Sequence, residues 1–342
     1  MMKSIATLAG AAVLAVAASG ASAATLDDVK ARGELVCGTN TGLAGFAAPD
    51  NAGNWTGLDV DFCRAVAAAI FGDPAKVRFV PLSAKDRFTA LQSGNVDLLS
   101  RNTTWTINRD TALGLNFVGV TYYDGQGFMV RKDLDVNSAL ELGGATVCVQ
   151  AGTTTELNMA DYFRANNLEY NPVVFEALAE TTKAYEDGRC DAYTTDASGL
   201  YSTRLQLANP DDHVVLPDLI SKEPLGPAVR KGDEQWFSVV KWTYFALLNA
   251  EDLGITQANV EEIAAKADAS PEIKRVLGTE EGSKIGTDLG LENDWVVKIV
   301  KGVGNYGEIF ERNVGQGSPL KIDRGLNKLW NKGGLQYGMP IR

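Results

Sequence analysis

Apolar residues in this chain recur in two rhythms, and the rhythms alternate. Leu35-Val-Cys-Gly38, Val77-Arg-Phe-Val80 and Val96-Asp-Leu-Leu99 are short apolar runs of strand length. Between the first two, residues 59–70 place Val60, Cys63, Ala67 and Ile70 at helical spacing. Between the second and third, residues 84–92 turn Phe88 and Leu91 to one face, and Ser93-Gly-Asn95 stops the helix. A short helix is predicted over 25–31, with Leu26 and Val29 inward and Gly33 as its stop. Strand, helix, strand, helix, strand predicts a parallel α/β lobe.

The pattern then starts again. The glycines of Phe117-Val-Gly-Val-Thr-Tyr-Tyr-Asp-Gly-Gln-Gly127 predict a crossover into a new strand, Phe128-Met-Val130. Ala145-Thr-Val-Cys-Val149, Asn171-Pro-Val-Val-Phe175, Cys190-Asp-Ala-Tyr193 and Val214-Val-Leu216 follow as strands. Helices lie between them, one carrying Leu157, Met159, Tyr162 and Phe163, the other over 176–187. Leu225-Gly-Pro-Ala-Val-Arg230 reads as the return crossover, 236–249 as an apolar helix, and further helices run to Val303. Tyr306, Ile309 and Phe310 are expected to pack the tail on the first lobe. A chain of 342 residues is too long for one small core, and this restart in the pattern supplies the second.

The N-terminus changes the picture of where the protein works. Lys3, an Ala-rich apolar stretch over 5–18 and Ala21-Ser-Ala23 read as a secretory signal peptide over 1–23, cleaved after Ala23. The apolar run is shorter than a membrane span, and no Cys lies near the cleavage point to carry a lipid. An exported protein without an anchor stays near the cell only behind an outer barrier, so the periplasm of a two-membrane bacterium is the expected compartment. The net charge of −11 becomes −12 once Lys3 is removed, which argues against nucleic acid and anionic lipid as partners. Otherwise the composition, 45% hydrophobic and 22% charged, is that of a globular protein. Four cysteines allow three pairings. Cys37–Cys63 and Cys148–Cys190 are favoured, because each pair stays inside one predicted lobe and the compartment permits disulfides. With one His and no C-x-x-C, neither a metal nor a cofactor is expected.

Three stretches carry candidate chemistry. After Leu99 the chain becomes Ser100-Arg-Asn-Thr-Thr-Trp-Thr-Ile-Asn-Arg109, small donors ending in a planar cation. That is either a carboxylate cradle, with a guanidinium fork and hydroxyls, or a polar loop with a surface arginine. Gln150-Ala-Gly-Thr-Thr-Thr155 opens a helix whose N-terminus suits an anion, although Thr-rich caps are also purely structural. Cys190-Asp-Ala-Tyr-Thr-Thr-Asp196 repeats the first plan with the opposite charge. Loops at the carboxyl ends of parallel strands face one cleft. Gly302-Val-Gly-Asn-Tyr-Gly307 matches G-x-G-x-x-G but follows a helical pattern, not a strand, and is rejected as a dinucleotide site. His213 falls in a surface-like turn, Pro210-Asp-Asp-His.

In order and spacing, several of these segments resemble one family. They are Gly57-Leu-Asp-Val-Asp-Phe62, Ala90-Leu-Gln-Ser-Gly-Asn-Val-Asp97, Asn102-Thr-Thr-Trp-Thr-Ile-Asn-Arg109, Tyr122-Tyr123, Ala151-Gly-Thr-Thr154, Cys190 to Asp196 and Gly325-Leu-Asn-Lys-Leu-Trp330. Together they resemble the periplasmic amino-acid-binding proteins of ABC importers, the polar amino-acid branch of solute-binding family 3. The general L-amino-acid and the glutamate/glutamine/aspartate/asparagine binders of alphaproteobacteria are the nearest look-alikes. The resemblance implies a two-lobed type II binding-protein fold with a two-strand hinge and a C-terminal helical extension. Lobe 1 would comprise 24–125 and 226–342, and lobe 2 would comprise 126–225. It implies a monomer that is not an enzyme, takes a free L-amino acid and meets a membrane permease. Arg109 would clamp the ligand α-carboxylate, helped by Thr104 and the backbone at Asn102, where relatives carry Gly or Ser. Asp196, with Thr195 beside it, would take the α-ammonium. Thr153 and Thr154 would offer the second-lobe helix N-terminus, and Gln150 would reach the ligand. Asn40 and Arg87 would read its side chain, although Arg87 could equally be a solvated helix residue. Arg101 matches no family position and is set aside. The competing reading is a periplasmic enzyme, dehydratase-like, on the same fold, which would need an acid or base poised in the cleft.

Overall fold

The computed structural model describes residues 24–342, so the predicted signal peptide lies outside the described residues. Two five-stranded sheets dominate. The first runs Val77–Pro81, Leu35–Thr39, Leu98–Leu99, Ala228–Arg230, Leu115–Phe117. Its first three strands are parallel, and Ala228–Arg230 returns antiparallel between its neighbours. The second runs Asn171–Phe175, Thr146–Gln150, Ala192–Asp196, Gln126–Arg131, His213–Val215, again with three parallel strands and one antiparallel. Two strands join the halves. Tyr122–Asp124 and Glu223–Leu225 pair antiparallel, one carrying the chain out and the other back. Central strands such as Leu35–Thr39 are buried at every residue, as a parallel strand with helices on both faces must be.

The helix Leu58–Phe71 is buried almost all round, more than its amphipathic pattern predicts. The reason is the C-terminal extension. Trp295–Val303 packs along it, and from Tyr306–Asn313 the side chains of Arg312 and Asn313 both donate to Asp61 Oδ2, at 2.8 and 2.7 Å. Tyr306, Ile309 and Phe310 are buried in this first-lobe core, as expected. The rejected glycine motif is a helix junction. Gly304, at φ 78°, ends one helix, and Asn305 with Glu308 forms the capping box of the next. Further on, the Asn327 amide holds both backbone groups of Tyr123, and Gln336 donates to Val120 O at 3.0 Å, so the extension is stitched to an outgoing connecting strand.

Both favoured disulfides are present, Cys37–Cys63 tying strand to helix and Cys148–Cys190 tying a strand of the second sheet to the segment that enters the next strand, Ala192–Asp196. Several local expectations shift. The strand predicted from Val96 begins at Leu98, because Val96 N–H bonds back to Ala90 O and ends the preceding helix instead. That helix is regular only over Arg87–Gln92. Thr194, Thr195 and Asp196, expected to follow the strand that ends at Tyr193, are its continuation, since they pair with Phe128, Gly127 and Gln126. His213 is not in a surface turn. It opens the strand His213–Val215, is 8% exposed, and its Nδ1 lies 2.8 Å from the Tyr185 hydroxyl. Among the described residues no helix is long and apolar enough to cross a membrane.

Candidate functional site

The carboxyl ends of Leu35–Thr39 and Leu98–Leu99 open toward the second sheet. Arg109 sits there, in the short helix Ile107–Thr111, whose cap is the Thr106 hydroxyl accepting from Arg109 N–H. The residue is 6% exposed, and its guanidinium donates from Nη1 to Thr104 O at 2.7 Å and lies 5.1 Å from the centroid of Phe88. Arg87 lies against the same ring at 4.7 Å. Phe88, expected simply inward, is thus a platform for two cations. Arg87 is 2% exposed, which removes the solvated reading.

Asn102 has φ 32°, a left-handed backbone that favours glycine and that Asn tolerates. Its N–H donates to Asp59 Oδ2 at 2.7 Å, and its side-chain oxygen accepts from Asn40 Nδ2 at 2.9 Å. Asn40 and Asn102 are therefore one unit.

The two halves touch. Thr154, the first residue of the helix Thr154–Ala165, has its hydroxyl 3.3 Å from that of Thr104. Both hydroxyls donate to the same carboxylate oxygen, Glu223 Oε2, at 2.6 Å from Thr104 and 2.9 Å from Thr154. The other oxygen accepts from Asn158 Nδ2 at 2.7 Å and Ser221 Oγ at 2.6 Å. Glu223 is 1% exposed and belongs to a connecting strand, so one carboxylate gathers the first lobe, the second lobe and the hinge. At the mouth, Lys85 and Glu176 pair across the gap at 2.7 Å.

The charges are divided between the sides. Arg87, Arg101 and Arg109 come from the first, Asp196 from the second, and Asp124 and Glu223 from the connecting strands. Burial pulls the Arg109 and Arg101 guanidiniums down to about 10, against the attraction of Asp196, and both remain charged at neutral pH. Burial holds the Asp196 carboxyl well above the usual range. Asp124 and Glu223 push the same way, and Arg87 and Arg109 pull it back. Burial likewise raises Asp59 and Asp124 to about 6, although each accepts hydrogen bonds that favour the charged form.

Not every expected residue joins this cluster. Thr153 is spent on structure: its hydroxyl donates to Gln150 O at 2.7 Å and accepts from Glu156 N–H as a helix cap. Gln150 donates from Nε2 to Glu176 O at 3.0 Å. Thr195 alternates away from Thr194 and Asp196 along the strand, and its methyl lies beside Gly199. Glu223 and Asp124 are members that the sequence reading missed. A carboxylate on each crossover was visible as Tyr122-Tyr-Asp124 and Glu223-Pro-Leu225, since hinge residues border a cleft by construction. Arg101, set aside earlier, is 2% exposed and within the field of Asp196.

Residues 35–274 match the bacterial extracellular solute-binding proteins, family 3. The chain is 72% identical over 333 residues to the general L-amino acid-binding periplasmic protein AapJ of Rhizobium johnstonii, covering 97% of each chain. It is 55% identical over 341 residues to the glutamate/glutamine/aspartate/asparagine-binding protein BztA of Rhodobacter capsulatus, covering 100% of each. Among solved structures, an ABC transporter periplasmic binding protein from Brucella ovis with glutathione bound superposes with a TM-score of 0.92 at 70% identity, covering 94% of this chain and 100% of that one. A two-sheet α/β fold, a divided charge cluster between the halves and a match over most of the described chain lead to one conclusion: this protein is a member of the bacterial extracellular solute-binding proteins, family 3.

Proposed function

We propose that this protein is the solute-binding component of an amino-acid ABC importer. It captures an L-amino acid between its lobes in the periplasm and delivers it to a membrane permease. The observation that carries this reading is the buried cluster of opposite charges split between the two sides. An α-amino acid is a zwitterion. Arg109 takes its carboxylate, and Asp196 takes its ammonium, with the lone pairs of the Thr104 hydroxyl available to accept beside it. Neither half satisfies both charges alone, so the ligand stabilises the closed state over the open one, as a ligand that drives closure must. The lobes are assigned as 24–125 with 226–342 and as 126–225, behind a cleaved segment 1–23. The protein acts as a monomer. The chain binds its ligand and does not transform it. Its only His, His213, is at the edge of the second sheet and engaged with Tyr185, away from the cleft residues.

Ligand breadth follows the two named relatives: glutamate, glutamine, aspartate and asparagine first, with a wider range of L-amino acids behind them. Glutathione is a second reading, favoured by the Brucella ovis structure, because a γ-glutamyl group carries the same α-amino and α-carboxylate pair. A thermal-shift panel of the standard amino acids plus glutathione tests both. If no amino acid raises the melting temperature, the importer reading fails.

Two smaller effects are expected. Arg87→Ala weakens glutamate and aspartate more than neutral ligands, by roughly tenfold for the loss of one charge-assisted hydrogen bond. Equal loss for both classes in calorimetry would remove Arg87 from side-chain recognition. The second effect concerns protons. An ammonium placed against Asp196 favours its carboxylate, while the free protein holds that carboxyl above its usual range. Binding therefore expels a proton, and affinity falls as pH is lowered through the raised value and levels off above it. Calorimetry in buffers of different ionisation enthalpy reads the proton count directly, and no release at any mildly acidic pH contradicts the role given to Asp196.

A further inference from the structure

Arg101 is the least explained cation in the molecule. It is 2% exposed. Its Nε donates to Leu82 O at 3.0 Å, its Nη1 reaches Asn102 Oδ1 only at 3.4 Å, and its Nη2 is buried with no hydrogen-bond partner. Arg87 beside it is in the same condition. Its Nη1 makes long contacts to Thr103 Oγ1 at 3.3 Å and to Arg101 O at 3.5 Å, and its Nε is buried without a partner. The two positive charges repel each other. Among the described residues neither forms a salt bridge. Asp59, whose charge favours Arg101, is already occupied by Asn102 N–H and Ser100 Oγ. Two neighbouring guanidiniums removed from water without a paired anion are costly. Such an arrangement makes sense where an anion arrives to share them.

The position of Arg101 says which anion. Its Nη1 and Asn40 Nδ2 converge on one oxygen of Asn102, and Arg87 rests on the backbone carbonyl of Arg101. Asp196, reaching over from the second sheet, acts on Arg101 as it does on Arg87 and Arg109. With Arg109 assigned to the α-carboxylate and Asp196 to the ammonium, two forks of donors remain for whatever extends from the α-carbon. We propose that Arg101 is a ligand-reading residue that joins Arg87 in a two-arginine subsite for a second carboxylate, so that this site prefers ligands carrying two carboxylates over their amides. The proposal rests on the amino-acid-binding reading above. The second carboxylate is either the side-chain terminus of a dicarboxylic amino acid or a free carboxylate of a γ-glutamyl peptide.

The test is calorimetry of L-glutamate, L-glutamine and glutathione with the wild-type protein, Arg101→Met and Arg101→Lys, each checked for its melting temperature. Arg101→Met is expected to lose roughly tenfold to a hundredfold in glutamate affinity, the range for charge-assisted pairs, and about threefold or less for glutamine. Arg101→Lys, which keeps the charge and loses the fork, is expected to fall between. A selective loss of glutathione with glutamate unchanged assigns the subsite to the peptide carboxylate. Equal losses for all three ligands, or no loss, overturn the proposal. If Arg101→Met does not fold, Arg101→Lys alone decides, by whether its glutamate-to-glutamine ratio drops. If the wild-type protein binds none of the three ligands, the importer reading has failed, and this proposal falls with it.

Discussion

Arg109→Ala is expected to abolish binding of every amino acid, whatever its side chain. The guanidinium is the one charged group assigned to the α-carboxylate, which all ligands share, and the residue is 6% exposed, so little water can replace it. Removing one partner of a buried charge pair costs about 3–5 kcal/mol, which is roughly a thousandfold in affinity. Its hydrogen bond to Thr104 O and its contact with Phe88 would also go. Part of the effect is thus conformational, and Arg109→Lys separates the two. It keeps the charge and loses the planar fork, so affinity should recover partly and uniformly across ligands. Calorimetry on both variants, with melting temperatures alongside, checks this. A ligand that binds Arg109→Ala within tenfold of wild type would remove the α-carboxylate assignment.

Glu223→Ala is expected to loosen the closed state itself. Four donors converge on this carboxylate: Thr104 from the first lobe, Thr154 and Asn158 from the second, and Ser221 beside the hinge. Removing it leaves them without their acceptor in a site that is 1% exposed. An opposing effect exists. Loss of the negative charge relieves Asp196 and Asp124 and strengthens the pull of Arg109 on an anion. The hydrogen bonds should win, because each orphaned buried donor costs about 1–3 kcal/mol. Even after water fills the gap, a net loss of about 3 kcal/mol, roughly a hundredfold in affinity, is expected. The signature that separates this from Arg109→Ala is shape. Small-angle scattering of the liganded variant should show a larger radius of gyration than liganded wild type. If Glu223→Ala closes as tightly as wild type and keeps its affinity, the carboxylate is only a core hydrogen-bond acceptor.

Much of this was legible in the chain itself. Strand and helix rhythms outlined both lobes, because apolar spacing reflects burial directly: Leu35–Thr39 and Leu58–Phe71 lie where the pattern put them. The disulfide pairs followed from keeping each Cys within its own lobe, and both are formed. Arg109 and Thr104 were readable because their stretch passes from apolar to polar at the end of a core strand. Thr154 could be expected from a helix start, and Asp196 from the echo of the first plan with its charge reversed.

The remainder depended on contacts between residues far apart in sequence. Glu223 is 119 residues from Thr104 and 69 from Thr154, and no local pattern marks a carboxylate as the meeting point of two lobes. Thr153 and Thr154 are neighbours of the same type. Only the geometry of the helix start made one a cap and turned the other toward Glu223. Phe88 looked like core and became a platform for arginines, since a ring can bury one edge and present its face to a cation. Arg101 matched no family position and is buried, because whether a charge is desolvated depends on what folds over it. The sequence alone determined the two lobes, their disulfides and the arginine at the end of the core strand that we assign to the carboxylate, all properties carried by local periodicity or residue type. Tertiary structure alone decided which polar groups share an acceptor and which cations lack one, because hydrogen bonds and desolvation are settled by atoms within about 3 Å of each other, wherever they lie in the chain.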